Sequence, residues 1–169
     1  NDGNQGANVT DNVEFTPWLN ASTDNNGQPF APVTNSSGGQ FASIQAALDN
    51  ADNGDTVSVK TGTFDESVAI KTSNTTLVGA GKDRTIINGT GTVIDVPNSG
   101  TDNVTIGNVK ATGGTNGIHT QNNVDNTTID SVLIEDLDSD GGIQGIYIER
   151  DSSNVVINGT TIRDLSGGS

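Results

Sequence analysis

The sequence predicts an all-β fold, a parallel β-helix built as a three-sheet solenoid, with one amphipathic helix at its N-terminal side. Three observations lead to this prediction. A phrase of Asn, a short β-branched run, a turn and a second run recurs at Asn103, Asn126 and Asn154. A single helical apolar stripe precedes the repeats. The 22 glycines and 21 asparagines among 169 residues supply the many turns that a chain of very short strands requires.

Residues 1–40 show neither a helical nor a strand period and are dense in Gly, Asn, Ser and Pro. They are therefore predicted to be a linker or the tail of a preceding repeat. Their apolar patch, formed by Phe15, Trp18 and Leu19, is predicted to be an interface that pins this segment, with ligand stacking on Trp18 as the alternative. Because the chain begins with Asn and contains no Met, we expect a processed product or a piece of a longer protein.

The β-helix domain is predicted to span residues 41–169 and to begin with a helix over 41–51. Apolar residues recur there at helical spacing, and Asn53-Gly54 then supplies a stop signal. This helix is expected to cover the N-terminal opening of the solenoid. From about residue 55 the period changes to two, which is typical of strands whose alternate side chains face a core, as at Val57 and Val59 and at Val68 and Ile70.

Later coils repeat with a register of 28 residues, which aligns Ile118 with Ile146, Asn126 with Asn154, Ile129 with Ile157 and Ile134 with Ile162. Ile94, Asn103 and Ile106 fit the same scheme one coil earlier, at 23 to 24 residues. Each unit holds three short strands and is too small to bury its own apolar face. Such a period predicts that each coil covers its neighbour, with rungs about 4.8 Å apart in three parallel sheets.

Tight joins between strands are predicted at Gly107-Asn108, Asp130-Ser131 and Asn158-Gly159. Asn, Asp and Gly tolerate the left-handed backbone that such corners require. The Asn that opens each phrase is expected to hydrogen-bond to its equivalents in the coils above and below. No capping element follows the last coil in the sequence, so the C-terminal side is predicted to be uncapped and to meet more coils or another copy.

The net charge of the chain limits the kinds of molecule that it is expected to bind. With 21 acidic and 7 basic residues the net charge is −14, which argues against nucleic acid and anionic membranes. Of the acids 17 are Asp and 4 are Glu, so a halophilic source is predicted, with an acidic extracellular Ca²⁺-binding protein as the alternative. The chain has no Cys, and no apolar run long enough to insert into a membrane.

Eight N-x-Ser/Thr sequons make an extracellular or cell-surface glycoprotein the expectation. They lie at Asn8, Asn20, Asn35, Asn74, Asn88, Asn103, Asn126 and Asn158.

A candidate metal site lies at "DLDSDGG", where Asp136, Asp138 and Asp140 alternate before Gly. This spacing matches the first half of an EF-hand-type loop and predicts Ca²⁺ as a cofactor. Position twelve is Tyr147 instead of Glu, and no helices flank the loop, so a solvated acidic loop is the competing interpretation.

The stretch "FASIQAALDNADNGDTVSVKTGTFDESVAI…TTLVGAG…TIING" resembles the start of the right-handed parallel β-helix of the pectin-lyase-like superfamily, which includes pectin methylesterases. The segment "NVTDNVEFTPWLNAS" resembles the tail that closes a β-helix repeat in surface proteins of halophilic archaea. The resemblance implies the fold and a tandem arrangement of β-helices. It does not imply an activity, because enzymes and non-enzymes share this pattern.

No catalytic residue is predicted. The stretches that carry the catalytic carboxylates, Arg and Gln of pectin methylesterases have no match here. The cations Lys110, Arg150 and Arg163 are candidates for a lyase base, yet nothing places them beside an Asp cluster. The lone His119 alternates with Ile118 and is expected to face solvent.

The predicted function is therefore a non-catalytic structural or adhesive β-helix module of a cell-surface protein or filament. It is expected to assemble end to end with copies of itself or with adjacent repeats. The alternative is a β-helix that binds glycans or degrades polysaccharides in the manner of a lyase.

Overall fold

A computed structural model describes residues 31–97, 100–139 and 142–167. All but the first of these residues belong to the second of two compact units, Pro32–Ser169. The described chain forms a parallel β-helix with one short helix, as the sequence predicts. No helix within the described residues is long and apolar enough to cross a membrane.

From Thr56 on, the strands follow one another in coils of three, except that coil 4 holds four. Coil 1 holds β3 (Thr56–Val59), β4 (Gly62–Phe64) and β5 (Val68–Ala69), and coil 2 holds β6 (Thr76–Gly79), β7 (Thr85–Asn88) and β8 (Thr92–Val96). Coil 3 holds β9 (Thr105–Gly107), β10 (Lys110–Thr112) and β11 (Asn116–Thr120). Coil 4 holds β12 (Thr128–Asp130), β13 (Leu133–Ile134), β14 (Asp138–Ser139) and β15 (Gln144–Ile148). Coil 5 holds β16 (Val156–Asn158), β17 (Thr161–Ile162) and β18 (Ser166–Gly167).

Equivalent strands of successive coils pair in parallel and build three sheets. Sheet 1 has the parallel order β16-β12-β9-β6-β3, sheet 2 the order β17-β13-β10-β7-β4, and sheet 3 the order β15-β11-β8-β5. A further parallel pair joins β14 to β18. Strands of one coil never pair with each other, because each of them runs along a different wall of the solenoid.

The predicted register is confirmed. On sheet 3, Ile118 lies opposite Ile94 on one side and Ile146 on the other. Sheets 1 and 2 carry the same kind of stack, with Ile129 against Ile157 and Ile134 against Ile162. These inward side chains form one continuous core of Val, Ile and Leu between the three sheets, and burial of that apolar surface stabilises the fold.

The predicted helix exists but is shorter than residues 41–51. It forms α1, Ile44–Asp49, and buries Ile44, Ala47 and Leu48 against the first coil. The Ser43 side chain caps it by accepting a hydrogen bond from the Ala46 N–H at 3.2 Å. Glu66 of coil 1 also accepts from the Ile44 and Gln45 N–H groups, at 2.8 and 2.9 Å. Because Phe41 belongs to a strand, the first turn of the predicted helix does not form.

Two strands ahead of the helix were not predicted from the sequence. Strand β1 (Val33–Asn35) pairs antiparallel with β3, and β2 (Gln40–Phe41) pairs antiparallel with β1. Asp55 fastens their connection, since its carboxylate accepts hydrogen bonds from the Ser36 and Ser37 hydroxyls and from the Asp52 N–H. These hydrogen bonds, that of Ser36 foremost, hold the pKa of Asp55 below its usual range. Strand β1 therefore occupies the edge of sheet 1 at coil 1.

Left-handed residues mark the corners, as predicted. Asn108, Ser131 and Gly159 have φ of 56°, 55° and 55° and occupy equivalent turns of three coils. The Asn that opens each phrase is left-handed too, at Asn74, Asn103, Asn126 and Asn154. The expected Asn ladder forms between the last two of these, where the Asn154 amide donates to Asn126 Oδ1 at 3.2 Å.

Coil 5 and strand β15 together form what we call the open rung. Strands β15, β16 and β17 are the last members of their sheets. Six large apolar side chains are exposed there, namely Tyr147, Ile148, Val156, Ile157, Ile162 and Leu165. The exposed fraction of Ile157 is 49 %, whereas Ile129, its partner one coil earlier, is fully buried. The C-terminal side of the described solenoid therefore presents an uncovered apolar surface and unpaired strand edges.

Candidate functional site

One outward position of sheet 3 carries a different residue in each of four coils. Ala69, Asp95, His119 and Tyr147 lie in register on β5, β8, β11 and β15. Their side chains alternate with the buried isoleucine stack, so all four point away from the core. The side chain grows in size from coil 1 to coil 4, which leaves a recess over Ala69.

His119 is held between two carboxylates from neighbouring coils. Its Nδ1 lies 3.2 Å from Asp95 Oδ1, and its Nε2 lies 2.9 Å from Glu149 Oε1. The ring also stacks on Tyr147, with centroids 4.8 Å apart and an interplanar angle of 5°. These contacts link coils 2, 3 and 4 across the outer face of sheet 3.

Asp95 has an unusual environment for a carboxylate. Burial raises its pKa above the ordinary value, and the charge of His119 and a 2.8 Å hydrogen bond from the Gln121 amide to Oδ2 partly offset this. Asp95 Oδ1 is buried and faces His119 Nδ1, its ion-pair partner at 3.2 Å.

The recess over Ala69 has a volume of about 300 Å³. Gln45 of α1 forms one wall, and its side chain accepts from the Ala69 N–H at 2.7 Å and donates to the Ala69 carbonyl at 3.3 Å. The amide of Gln45 therefore takes the place of a neighbouring strand at the edge of sheet 3. The other lining residues are Ser67, Val68, Thr92, Asp95, His119 and Gln121.

The prediction that His119 points outward is confirmed, and the prediction that it faces solvent is wrong. The side chain points outward, yet only 14 % of it is exposed, because Asp95, Tyr147 and Glu149 cover it. The cluster itself was missed. The 28-residue register already pairs Ile118 with Ile146, and moving one residue along each strand would have placed His119 beside Tyr147.

A second polar cluster lies on the outer face of sheet 2. Glu135 accepts hydrogen bonds from Lys110 of coil 3 and from Arg163 of coil 5, the latter at 2.7 Å from Nε. The side chain of Glu135 is only 8 % exposed. Hydrogen bonds from Lys110 and then Arg163 hold the pKa of Glu135 below its usual range. Two of the three candidate lyase bases are thus both paired with one structural carboxylate.

We expect Glu135→Gln to change how stability depends on pH. A lowered pKa in the folded state means that Glu135 stabilises the fold above its unfolded pKa and loses this contribution as the pH falls through the folded pKa. The variant should therefore be less stable than the wild type at neutral pH, and the difference should shrink in acid. Thermal unfolding between about pH 7 and about pH 3 measures this. Asp138→Asn, at an exposed position, is the control. A difference in unfolding temperature between wild type and Glu135→Gln that stays the same at every pH would contradict the prediction.

The predicted Ca²⁺ ligands lie partly outside the described residues. Asp136 is left-handed, with φ of 52°, and Asp138 begins β14. Both are exposed on either side of buried Leu137. Asp140, the third predicted ligand, is not among the described residues. No group of three or more His, Cys, Asp or Glu within the described ranges could hold a metal ion, and Ca²⁺ binding stays a prediction.

The predicted sequons occupy two kinds of environment. Asn74, Asn88, Asn103, Asn126 and Asn158 are exposed. Asn35 is only 8 % exposed, and its amide donates to the Asn50 carbonyl and accepts from the Gly39 N–H. A glycan on Asn35 would disrupt these bonds, so the exposed sequons are the better acceptors. Asn8 and Asn20 lie outside the described residues, as does the predicted interface of Phe15, Trp18 and Leu19.

Comparisons with known proteins agree with the fold. No family model matches the chain, and no curated protein matches it. Among solved structures the chain is similar to the crystal structure of an alginate lyase from Paenibacillus sp. str. FPU-7, with a TM-score of 0.55 and 22 % sequence identity over 71 % of this chain. The chain spans 55 % of the length of that protein. At this identity the likeness concerns the β-helix alone, and it gives no support to the predicted resemblance to halophilic surface proteins.

Proposed function

We propose that this chain is a non-catalytic structural β-helix module that assembles through its open rung. The observation that carries the proposal is the exposure of apolar side chains on coil 5 that continue the buried stacks of the core. Ile157 and Ile162 continue stacks that are fully buried one coil earlier, at Ile129 and Ile134. A further β-coil placed on this rung would bury them and would pair the free strand edges.

The two ends of the solenoid differ, and this restricts the geometry of assembly. At coil 1 the edge of sheet 1 is paired with β1, and the edge of sheet 3 is bonded to Gln45. An open rung cannot pair with these occupied edges. The fitting partner is therefore the open rung of a second copy, or a coil of an adjacent repeat.

Catalysis as a polysaccharide lyase is the less favoured alternative. Lys110 and Arg163 are engaged by Glu135 on sheet 2, and both nitrogens of His119 face carboxylates on sheet 3. A base that must accept a proton from a substrate needs a nitrogen that is free to receive it. The alginate-lyase likeness, at 22 % identity, supports the shared fold and no more.

A location outside the cell or on its surface, in a salt-rich environment, completes the proposal. It rests on the net charge of −14 and on the exposed sequons. Asp-rich surfaces hold water and cations. A net charge this far from zero also opposes non-specific aggregation through the apolar open rung.

The oligomeric state tests the proposal. We expect wild-type protein to associate reversibly with rising concentration in sedimentation velocity runs, and Ile157→Lys to remain monomeric over the same range. Val156→Lys is the matched control, because Val156 neighbours Ile157 on β16 but lies in register with Thr128 on the outer face. This control should associate like the wild type.

Far-UV circular dichroism must show that both variants keep the β-fold. A wild type that stays monomeric at every concentration would overturn the proposal. Equal association of Ile157→Lys and Val156→Lys would overturn it too, since the contact would then not involve the stacked face.

A further inference from the structure

Two strand ends of the solenoid carry the same three residues. Asn88-Gly89-Thr90 ends β7 and Asn158-Gly159-Thr160 ends β16, and in each case the Asn is the last residue of the strand. Both Asn residues are exposed, and each amide donates to an Asp of the preceding coil, at 2.8 Å to Asp65 and at 2.7 Å to Asp130. The two sites are thus matched in sequence and in side-chain bonding, and they differ in what covers them.

The following coil covers the first site, whereas the second belongs to the open rung. Gly89 is buried, and its N–H donates to the Thr112 carbonyl of coil 3 at 3.0 Å. Strand β7 is paired on both sides, with β4 and with β10. Gly159 is exposed, and its N–H has no hydrogen-bond partner among the described residues. Because β16 is paired with β12 alone, the end of this strand can rotate away from the extended form.

The free N–H of Gly159 is the next member of a series of hydrogen bonds between coils. Asn108, Ser131 and Gly159 occupy equivalent corners. The Asn108 N–H donates to the Asp130 carbonyl of coil 4 at 3.2 Å, and the Ser131 N–H donates to the Asn158 carbonyl of coil 5 at 2.9 Å. A further coil placed on the open rung would accept from the Gly159 N–H in the same way.

An Asn followed by Gly can modify itself when the nitrogen between them is free. The backbone nitrogen of the Gly attacks the side-chain carbon Cγ of the Asn, so that a new C–N bond forms and the Cγ–Nδ2 bond breaks. The side-chain amide leaves as ammonia with the proton of the backbone N–H, and a succinimide ring remains. Water then opens the ring at either carbonyl and yields aspartate or isoaspartate. Gly favours this attack because it has no Cβ to hinder the approach.

We propose that the open rung exposes a spontaneous deamidation site at Asn158-Gly159, and that covering the rung protects this site. The site itself rests on the free nitrogen of Gly159, and its protection rests on the proposed assembly. Conversion disables the rung, because the amide that donates to Asp130 becomes a carboxylate and like charges then lie opposite each other on neighbouring strands. Unassembled molecules therefore lose the ability to assemble, and assembled molecules keep it.

Two further Asn-Gly pairs within the described residues serve as references. Asn53-Gly54 lies in an exposed turn ahead of coil 1, and the Gly54 N–H has no partner among the described residues. Its conversion should be the same whether or not the open rung is covered. Asn116-Gly117 lies inside β11, which is paired on both sides, and Gly117 is buried. This pair should be protected in every state of assembly.

Peptide mapping by mass spectrometry tests the site. The protein is produced without glycans, because Asn88 and Asn158 are both sequons. Dilute wild type is incubated at mildly alkaline pH, and aspartate and isoaspartate are quantified at each Asn-Gly pair. We expect Asn158 to convert at least about tenfold faster than Asn88, since Asn88 reacts only after a local opening of its coil. Gly159→Asn should slow this conversion, because the added side chain hinders the attack while Asn holds the same left-handed backbone at Asn108.

Concentrated protein tests the link to assembly. Where sedimentation velocity shows the wild type to be associated, Asn158 should convert at least about tenfold more slowly than in dilute solution, with Asn53 unchanged. Ile157→Lys, which is expected to stay monomeric, should convert Asn158 equally at both concentrations. Asn158→Asp imitates one product and should weaken association several-fold. Adding Asp130→Asn should restore association, because an amide then again faces a carboxylate.

Each part of the proposal has a result that would overturn it. Equal conversion of Asn158 and Asn88 in dilute protein would overturn the site. Fast conversion of Asn158 in associated wild type would overturn the protection and leave the assembly standing. A wild type that never associates would overturn the assembly and the protection together, whereas conversion of Asn158 ahead of Asn88 would still support the site. Wild-type association of Asn158→Asp would show that conversion does not disable the rung. Circular dichroism confirms that each variant is folded before incubation.

Discussion

Replacing Ile129 by alanine is expected to lower the free energy of unfolding by about 2–5 kcal/mol. The side chain is fully buried and stacks between Ile106 of coil 3 and Ile157 of coil 5. Its removal leaves a cavity in a wall whose strands are fixed by hydrogen bonds to both neighbours, so the site cannot collapse. Equilibrium unfolding in urea measures the effect, and a loss below about 1 kcal/mol would contradict the stacked core.

Ile157→Ala is the matched control, since the same residue type stands in register one coil later. About half of Ile157 is already exposed, at 49 %. In dilute monomeric protein its truncation should cost less than about 1 kcal/mol. If the open rung is covered in the assembled state, the cost should rise with protein concentration, because burial in a partner then adds to the stability that the side chain supplies.

Gly117→Ala is expected to destabilise the protein by about 1–3 kcal/mol and to disturb the His119 cluster. A Cβ at Gly117 would lie 2.5 Å from the Gly145 carbonyl oxygen and 2.6 Å from Ile134 Cγ2. The carbonyl belongs to β15, so relief requires β11 and β15 to separate. These two strands carry His119 and Tyr147, which is why their stacking should loosen with the backbone.

Thermal unfolding measures the stability of this variant, and the histidine ring signals in NMR report on the stacking. Gly145→Ala is the control. The three atoms nearest to its added Cβ all belong to the Ile162 side chain, the closest at 2.6 Å, and Ile162 is 44 % exposed and can shift. The cost at Gly145 should therefore be smaller than at Gly117. Equal losses at both positions would show that backbone crowding at Gly117 is not the cause.

The stacking of coils could be predicted from the sequence because it follows from one repeated pattern. Short strands that alternate Val or Ile with polar residues cannot bury their apolar face alone. The alignment of Ile118 with Ile146 shows which strand of the next coil pairs with each strand. The corners were predictable for a similar local reason. At Asn108 and Ser131 the backbone is left-handed, and each of these residues lies two positions after a buried Ile and directly before a buried Val.

The elements that break the repeat were not predictable in the same way. Strand β1 has three residues and no period, and only its pairing with β3 makes it a strand. The helix is shorter than its apolar stripe because Phe41 pairs with Val33 instead. Both outcomes depend on tertiary contacts that override local preference.

The candidate site was missed because it is built between coils. Asp95, His119 and Glu149 are 24 and 30 residues apart in sequence, and no local motif joins them. These residues come together because of the register between coils, and the aligned isoleucines in the sequence already define that register.

The antiparallel pairing of β1 with β3 gives the solenoid a direction. Since the edge of sheet 1 at coil 1 is occupied by a strand running the opposite way, this sheet can gain new parallel strands on its other side only. That direction coincides with the order in which a ribosome releases the chain. Each winding can therefore dock on a finished template as it emerges, and nascent chains of increasing length should gain ordered structure in steps of one winding.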